Sequence, residues 1–215
     1  MDDAGGGGRT QTRLRLLKAS ELLIVREGVH ALTIRRIAAA ANANSALIGY
    51  HFGGVDGLLS ELARLNGEAI LTEQARRFAE ARARPSVERL LEAFLRPLWR
   101  EAALNPGERA LVVVDEIVSR AEPELRRQVW TRFAEAAAPF HDALASLLPA
   151  LAPDQLRWRL RFLSAAALDM PPRSARGALA PPEEDEGAAG GEEARIAEFL
   201  AFARGALLAP PADTP

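Results

Sequence analysis

Residues 33–54 read TIRRIAAAANANSALIGYHFGG. Ile34, Ile37, Ala38 and Ala41 fall at i, i+3, i+4 and i+7, the spacing of one buried helix face. Thr33 precedes them as a side-chain N-cap, which sets a helix over Ile34–Ala41. The pattern stops at Asn42, a residue that tolerates a left-handed backbone better than most non-glycines. Ala43 is small and reads as pointing inward. Asn44 or Ser45 then caps a second helix, Ser45–Phe52, with Ile48 and Phe52 on its buried side, and Gly53-Gly54 ends it. Helices this short are not stable alone, so both must pack on their neighbours. A short helix, a tight turn and a second short helix describe a helix-turn-helix. The break reorients the second helix so that one face packs while the other stands free for a DNA major groove.

Outward from this stretch the chain reads as helix almost throughout. Upstream, Leu14, Leu17, Leu22, Ile24 and Val25 stripe a helix over Arg13–Glu27, with Gly28 as its left-handed C-terminal cap. Gly5–Gly8 reads as a flexible leader. It is no phosphate loop, because no Gly-Lys-Ser/Thr follows and no strand precedes it. Downstream, a long helix runs over Asp56–Ala83. Pro85-Ser86 breaks the chain and caps a helix over Val87–Leu104, and Asn105-Pro106-Gly107 is a turn. The Val112–Val114 run has strand propensity, but the continuing Ile117-Val118 spacing favours a buried helix. Pro123 opens a helix to about Leu148 with a potential kink at Pro139. Asp154–Asp169 and Glu193–Leu208 are the last two helices, joined by a linker rich in Pro, Gly, Ala and acid. The expected architecture is all-α. A helix-turn-helix head spans residues 9–54, a larger helical body spans 55–208, and 1–8 and 209–215 are flexible tails.

Charge distribution points the same way. Of 215 residues, the first 52 carry seven basic and four acidic side chains, a net +3. The rest is net −5, for a whole-chain charge of −2. A basic N-terminal segment on an acidic body is the electrostatic footprint of a small nucleic-acid module; a solvated helix face with a few arginines has the same signature. Cysteine is absent, which removes disulfides and thiol chemistry and suits a reducing cytoplasm. No apolar run is long enough for a transmembrane helix, and the N-terminus lacks the features of a signal peptide. His30, His51 and His141 are scattered, and no HExxH, GxSxG, CxxC or dinucleotide fingerprint occurs, so neither an enzyme nor a cofactor is expected. The acidic run Glu183–Glu186 reads as solvated linker rather than a metal site.

Residues 13–60 resemble the N-terminal domain of the TetR family of bacterial transcription regulators. The resemblance is carried by the helix ending at Gly28 and by LTIRRIAAAANANSALIGYHFGGVDGLL, with Thr-apolar-Arg-x-Ile-Ala, the Tyr-His-Phe cluster and Asp-Gly-Leu-Leu. It implies that Thr33 donates to a phosphate and that Arg35 reaches a phosphate or a guanine edge. It further implies that Asn44, Ser45, Ala46 and Gly49 face the groove, and that Tyr50 and His51 bond the DNA backbone or touch a thymine methyl. Tyr50 and His51 closing the small core is the competing reading. Two departures stand out. Asn42 replaces the usual turn glycine, and Val55 sits where the family commonly has a phosphate-holding lysine. With Ser45, Ala46 and Gly49 so short, readout falls to Asn44, Tyr50, Arg35 and DNA shape.

The resemblance also implies a homodimer sealed by the last two helices, with Leu156, Leu160, Leu163 and Ala167 on one and Ile196, Phe199 and Leu200 on the other. The same stripes equally suit closure of the monomer core. Phe94, Leu98, Trp99, Val113, Ile117, Trp130, Phe133 and Phe162 are candidates for an apolar ligand pocket. A weaker resemblance of APFHDALASLLPALAPDQLRWRLRFL to fatty-acid-responsive members ranks acyl chains among the ligands. The expectation is a cytoplasmic repressor that binds a palindromic double-stranded DNA operator as a homodimer, is released by a hydrophobic effector, and has no membrane partner. The alternative, favoured by Val55, is a helical ligand-binding or scaffold protein with weak or lost DNA binding.

Overall fold

The computed structural model describes residues 4–120, 122–168 and 191–210. Among them regular structure is helical, apart from one antiparallel bridge between Glu101 and Arg109. The helices are α1 (Ala4–Glu27), α2 (Ile34–Ala40), α3 (Ala46–Phe52), α4 (Val55–Ala81), α5 (Val87–Leu95), α6 (Ala110–Arg120), α7 (Pro123–Leu147), α8 (Pro153–Leu168) and α9 (Gly191–Leu208). The expected linker lies outside the described residues up to Gly191, as do residues 1–3 and 211–215.

Several boundaries differ from the sequence expectation, each for a local reason. α1 starts at Ala4 and takes in Gly5–Gly8, because each residue added to an existing helix gains a hydrogen bond without a new nucleus. Its buried side is Leu16, Leu17, Ser20, Glu21 and Ile24, whereas Leu14 is half exposed. Gly28 does take a positive φ of 83°, but its ψ of 164° is extended. It therefore redirects the chain into a 3₁₀ turn, Val29–Ala31, instead of closing α1 with a left-handed helical cap. The helix expected over Val87–Leu104 ends at Leu95 and tightens into a 3₁₀ turn, Arg96–Trp99. Pro97 has no N–H for the helical ladder, and its ring collides with the preceding turn. Pro139, by contrast, sits inside a helix that continues through it.

Packing divides the chain into two units, one comprising residues 1–72 with 99–135, the other 73–98 with 136–215. In the first, the short helices of the head do not form a core alone. Leu16, Leu17, Ile24, Ile37, Ala38, Ala41 and Ile48 share one cluster with Leu58, Leu62 and Ala63 of α4 and Val113 and Ile117 of α6. This burial supplies what a seven-residue helix lacks. Polar groups tie the same elements together. Glu21 and Asn66 are fully buried. One oxygen of Glu21 accepts from Asn66 Nδ2 at 2.7 Å, the other from the Leu104 N–H at 3.0 Å and Asn105 Nδ2 at 2.8 Å. Asn66 Oδ1 accepts from the Ala103 N–H at 2.9 Å.

In the second unit, α9 packs on α5 and α8. Phe140 stacks on Phe94 with centroids 4.6 Å apart and meets Phe78 at 5.8 Å. Arg204 bonds Glu88, and Arg96 pairs with Glu193 at 2.6 Å. Arg159 donates to the carbonyls of Ala206, Leu207, Ala209 and Pro210. The first two are acceptors that the end of a helix leaves unsatisfied. Through the other two, α8 holds residues 209–210, expected in a flexible tail.

Candidate nucleic-acid interface

α2 starts where Thr33 Oγ1 accepts the Arg36 N–H at 3.3 Å. A hydroxyl that accepts still has a proton to donate. Ile37, Ala38 and Ala41 are buried as the periodicity requires, but Ile34 is 45% exposed, because only the second turn of this two-turn helix packs inward. Asn42 adopts φ 47°, the left-handed conformation that its place in the turn demands, and Arg15 donates to its carbonyl at 3.5 Å. Asn44 makes the cap of α3, its Oδ1 accepting from Ala46 N–H at 2.9 Å, while Ser45 makes no capping bond.

α3 is fixed from beneath by Ile48, which is fully buried. Ser45, Ala46, Gly49 and Tyr50 are exposed and His51 and Phe52 half-buried. Tyr50 is 65% exposed, its ring edge-on to His51 with centroids 5.0 Å apart. At Gly49 an added Cβ would meet nothing, so the bareness there is open space and not a packing need. Gly57 is the reverse case. A Cβ there would sit 1.8 Å from the Phe52 carbonyl oxygen, so only glycine lets α4 start this close to the end of α3.

Basic side chains surround this face. Arg35 is exposed on α2. Arg36 is held by Glu27 at 2.7 Å. Arg13 pairs with Glu61 at 2.9 Å and lies 5.3 Å from the centroid of the Phe52 ring. A hydrogen bond from Arg64, followed by that from Arg13, holds the Glu61 carboxyl below the ordinary carboxylate range against the opposing effect of burial. The structure thus brings Asn44, Ser45, Ala46, Gly49 and Tyr50 onto or beside the exposed side of α3, with Thr33 and Arg35 at the start of α2. His51 is the least accessible of the eight expected contacts.

The other expected sites fare differently. Leu156, Leu160, Leu163, Ala167, Ile196 and Phe199 are buried within the chain itself. Leu200 is half-buried. These stripes are buried in the protomer's own core, where α9 meets α5 and α8. The exposed apolar side chains of the two helices are instead Trp158, Phe162, Phe202 and Leu208. Of the eight expected pocket residues, Trp130 and Phe162 are 55% and 64% exposed and line no interior space. Leu98, Trp99, Val113 and Ile117 are buried in packing. Phe94 stacks on Phe140. Phe133 alone of the eight lines a cleft of about 280 Å³ between α4 and α7. Its walls include Leu71, Leu125 and Val129, with Arg64, Glu68 and Arg132 among its charged residues. Sequence periodicity had no means of finding this cleft, since it arises from the facing of two helices far apart in the chain.

A capped helix pair joined by a left-handed turn, with one helix anchored by a buried isoleucine and its other face bare, defines a helix-turn-helix regulator of transcription. The family model described as bacterial regulatory proteins, tetR family, matches residues 16–62, and that of the tetracyclin repressor-like C-terminal domain matches residues 92–206. The chain belongs to the TetR family. No curated protein matches it. Among solved structures, the TetR family transcriptional regulator PfmR from Thermus thermophilus aligns over 90% of this chain and 97% of its own, with a TM-score of 0.62 at 15% identity. NalD, the secondary repressor of the MexAB-OprM multidrug efflux pump in Pseudomonas aeruginosa, aligns over 90% of this chain and 96% of its own, with a TM-score of 0.52 at 20% identity. At such identities the likeness is one of fold. Among the described residues no helix is long and apolar enough to cross a membrane.

Proposed function

We propose that this regulator is a repressor that binds a palindromic operator as a homodimer and is released by a small hydrophobic molecule. The observation that carries the DNA-binding part is the anchored, exposed α3 beside Tyr50, Arg35 and Thr33. Arg35 and Tyr50 are the longest of the eight expected contacts, so they supply most of the reach among them. Arginine gives the commonest specific base contact, through guanine. Thr33 and the amide of Asn44 add backbone contacts that set register.

One head reads few base pairs, and two heads must be spaced by one duplex turn, about 34–36 Å. The seam between copies falls on the outer faces of α8 and α9. Trp158 and Phe162, one helical turn apart and stacked at 5.9 Å, continue with Ala165 along α8. Ala194, Ala197 and Ala201 form a small-residue face along α9 that ends at the exposed Leu208, with Phe202 beside it. Exposed aromatics of this kind are enriched where interfaces concentrate their binding energy. An effector must favour the DNA-free conformation, and DNA must weaken it by the same factor. The cleft lined by Phe133, between α4 and α7, is the cavity offered to such a ligand.

Selection of bound sequences from a random duplex pool at a stated salt concentration tests this reading. The expected result is a site with two-fold symmetry. Arg35→Ala weakens that site by about 1–3 kcal/mol if the side chain reads a base. Recovery of no sequence, or full affinity in the Arg35→Ala, Tyr50→Ala double variant, would overturn it.

A further inference from the structure

The buried stripe of α1 runs through Ile24, Ser20 with Glu21, and Leu16 with Leu17. Carried toward the N-terminus by the same steps of three and four residues, it reaches Arg13 and then Arg9. Arg13 lies over the Phe52 ring. Arg9 donates from Nη1 to Tyr50 Oη at 3.4 Å. The first turns of α1, which composition reads as a leader, therefore overlie the C-terminal end of α3. They bring a guanidinium to the exposed Tyr50 of that helix. α3 itself, ALIGYHF, contains no lysine or arginine. A duplex in contact with α3 presents one negative charge per ~1.7 Å of axis, and His51 is the one basic side chain the helix has to answer it.

We propose that Arg9 is a phosphate-binding residue of the DNA interface, gripping the backbone that flanks the groove entered by α3. The proposal rests on the helix-turn-helix reading above. Arginine suits the role because its planar fork is always charged and matches a phosphate with paired N–H donors. Its contact with Tyr50 gives it a second effect. It fixes the phenol at the edge of the recognition face, so one residue of α1 holds the backbone and positions a residue of α3. A contact of this type sets affinity and register and carries no sequence information.

The test is a salt titration of binding to a mixed-sequence duplex and to the sites selected by the wild-type protein. Each phosphate contact contributes about 0.9 to the slope of log affinity against log salt. A homodimer carries two copies of Arg9, so between about 50 and about 200 mM salt the wild-type protein is expected to lose about 12-fold more affinity than Arg9→Ala, on both duplexes alike. Arg9→Lys, which keeps the charge, keeps the slope, and circular dichroism confirms that each variant is helical. An unchanged slope in Arg9→Ala, alongside weakened binding by Arg35→Ala or Tyr50→Ala, overturns the role of Arg9 and leaves the helix-turn-helix reading standing. A loss confined to the selected sites makes Arg9 a base reader and overturns the phosphate assignment. A slope lost as fully in Arg9→Lys as in Arg9→Ala overturns it too. Absence of wild-type binding to any duplex at low salt overturns both readings together.

Discussion

Replacing Glu21 separates what packs the head from what reads DNA. Both of its oxygens are occupied, one by Asn66 Nδ2 and the other by the Leu104 N–H and Asn105 Nδ2. Asn66 cannot turn its amide over to adapt, because its Oδ1 already accepts from the Ala103 N–H at 2.9 Å and its Nδ2 also donates to the Leu62 carbonyl at 3.1 Å. In Glu21→Gln the new amide oxygen can take the place that serves two donors, which leaves the new NH₂ facing Asn66 Nδ2. One mismatched buried donor costs about 1–3 kcal/mol. Glu21→Ala orphans donors on both oxygens and opens a void, for a loss of about 3–5 kcal/mol, a large share of the ~5–15 kcal/mol of a typical domain. Urea unfolding followed by circular dichroism gives both values by linear extrapolation. The expected order is wild type, then Gln, then Ala, with an unchanged dependence on urea. If Glu21→Ala costs under about 1 kcal/mol, the network does not secure α1 to α4 and the 103–105 loop, and the reasoning fails.

Leu160→Glu puts a charge in the α8–α9 core and is expected to destabilise the protomer by at least ~3 kcal/mol in chemical unfolding. Trp158→Glu with Phe162→Glu alters only exposed side chains, so light scattering should show a folded monomer; a persistent dimer moves the seam elsewhere. Hydrogen bonding from Arg204, with help from its own backbone and Ser86, brings the Glu88 carboxyl from its ordinary 4.5 down to about 2. A depressed acid contributes stability that is present above its ordinary value and lost as pH falls through the depressed one. Helix content followed from pH 4.5 toward 2 should therefore decline less steeply in Arg204→Ala than in the wild type, and identical profiles count against an anchoring role for that pair.

Much of the head was legible in the residues because its signals are local. Thr33 as a cap, Asn42 in a left-handed turn and Ile37, Ala38 and Ile48 facing inward depend on neighbours within a few positions, and the structure bears out each. Pro123 as a helix start is equally local. Reading stopped short where a pattern had two satisfactory burials. The stripes Leu156–Ala167 and Ile196–Leu200 suit a dimer seam and a protomer core equally well, since periodicity records that a face is covered and not by what. Tertiary packing assigned them to the core and left Trp158, Phe162 and Phe202 outside. Trp130 is a similar case, its bulk giving no hint that it faces solvent. The long-range polar contacts left no periodic trace at all. Glu21 and Asn66 look like ordinary surface residues of amphipathic helices until the 103–105 loop closes over them. Arg9, the first residue of the expected head, looks like one more solvated arginine until α1 carries it to Tyr50 at the end of α3. Short-range hydrogen bonding and helical spacing determined which segments are helices. Which of their faces meet, and which polar atoms find partners across tens of residues of chain, was decided by the joint burial of surfaces, and that is a property of the folded chain alone.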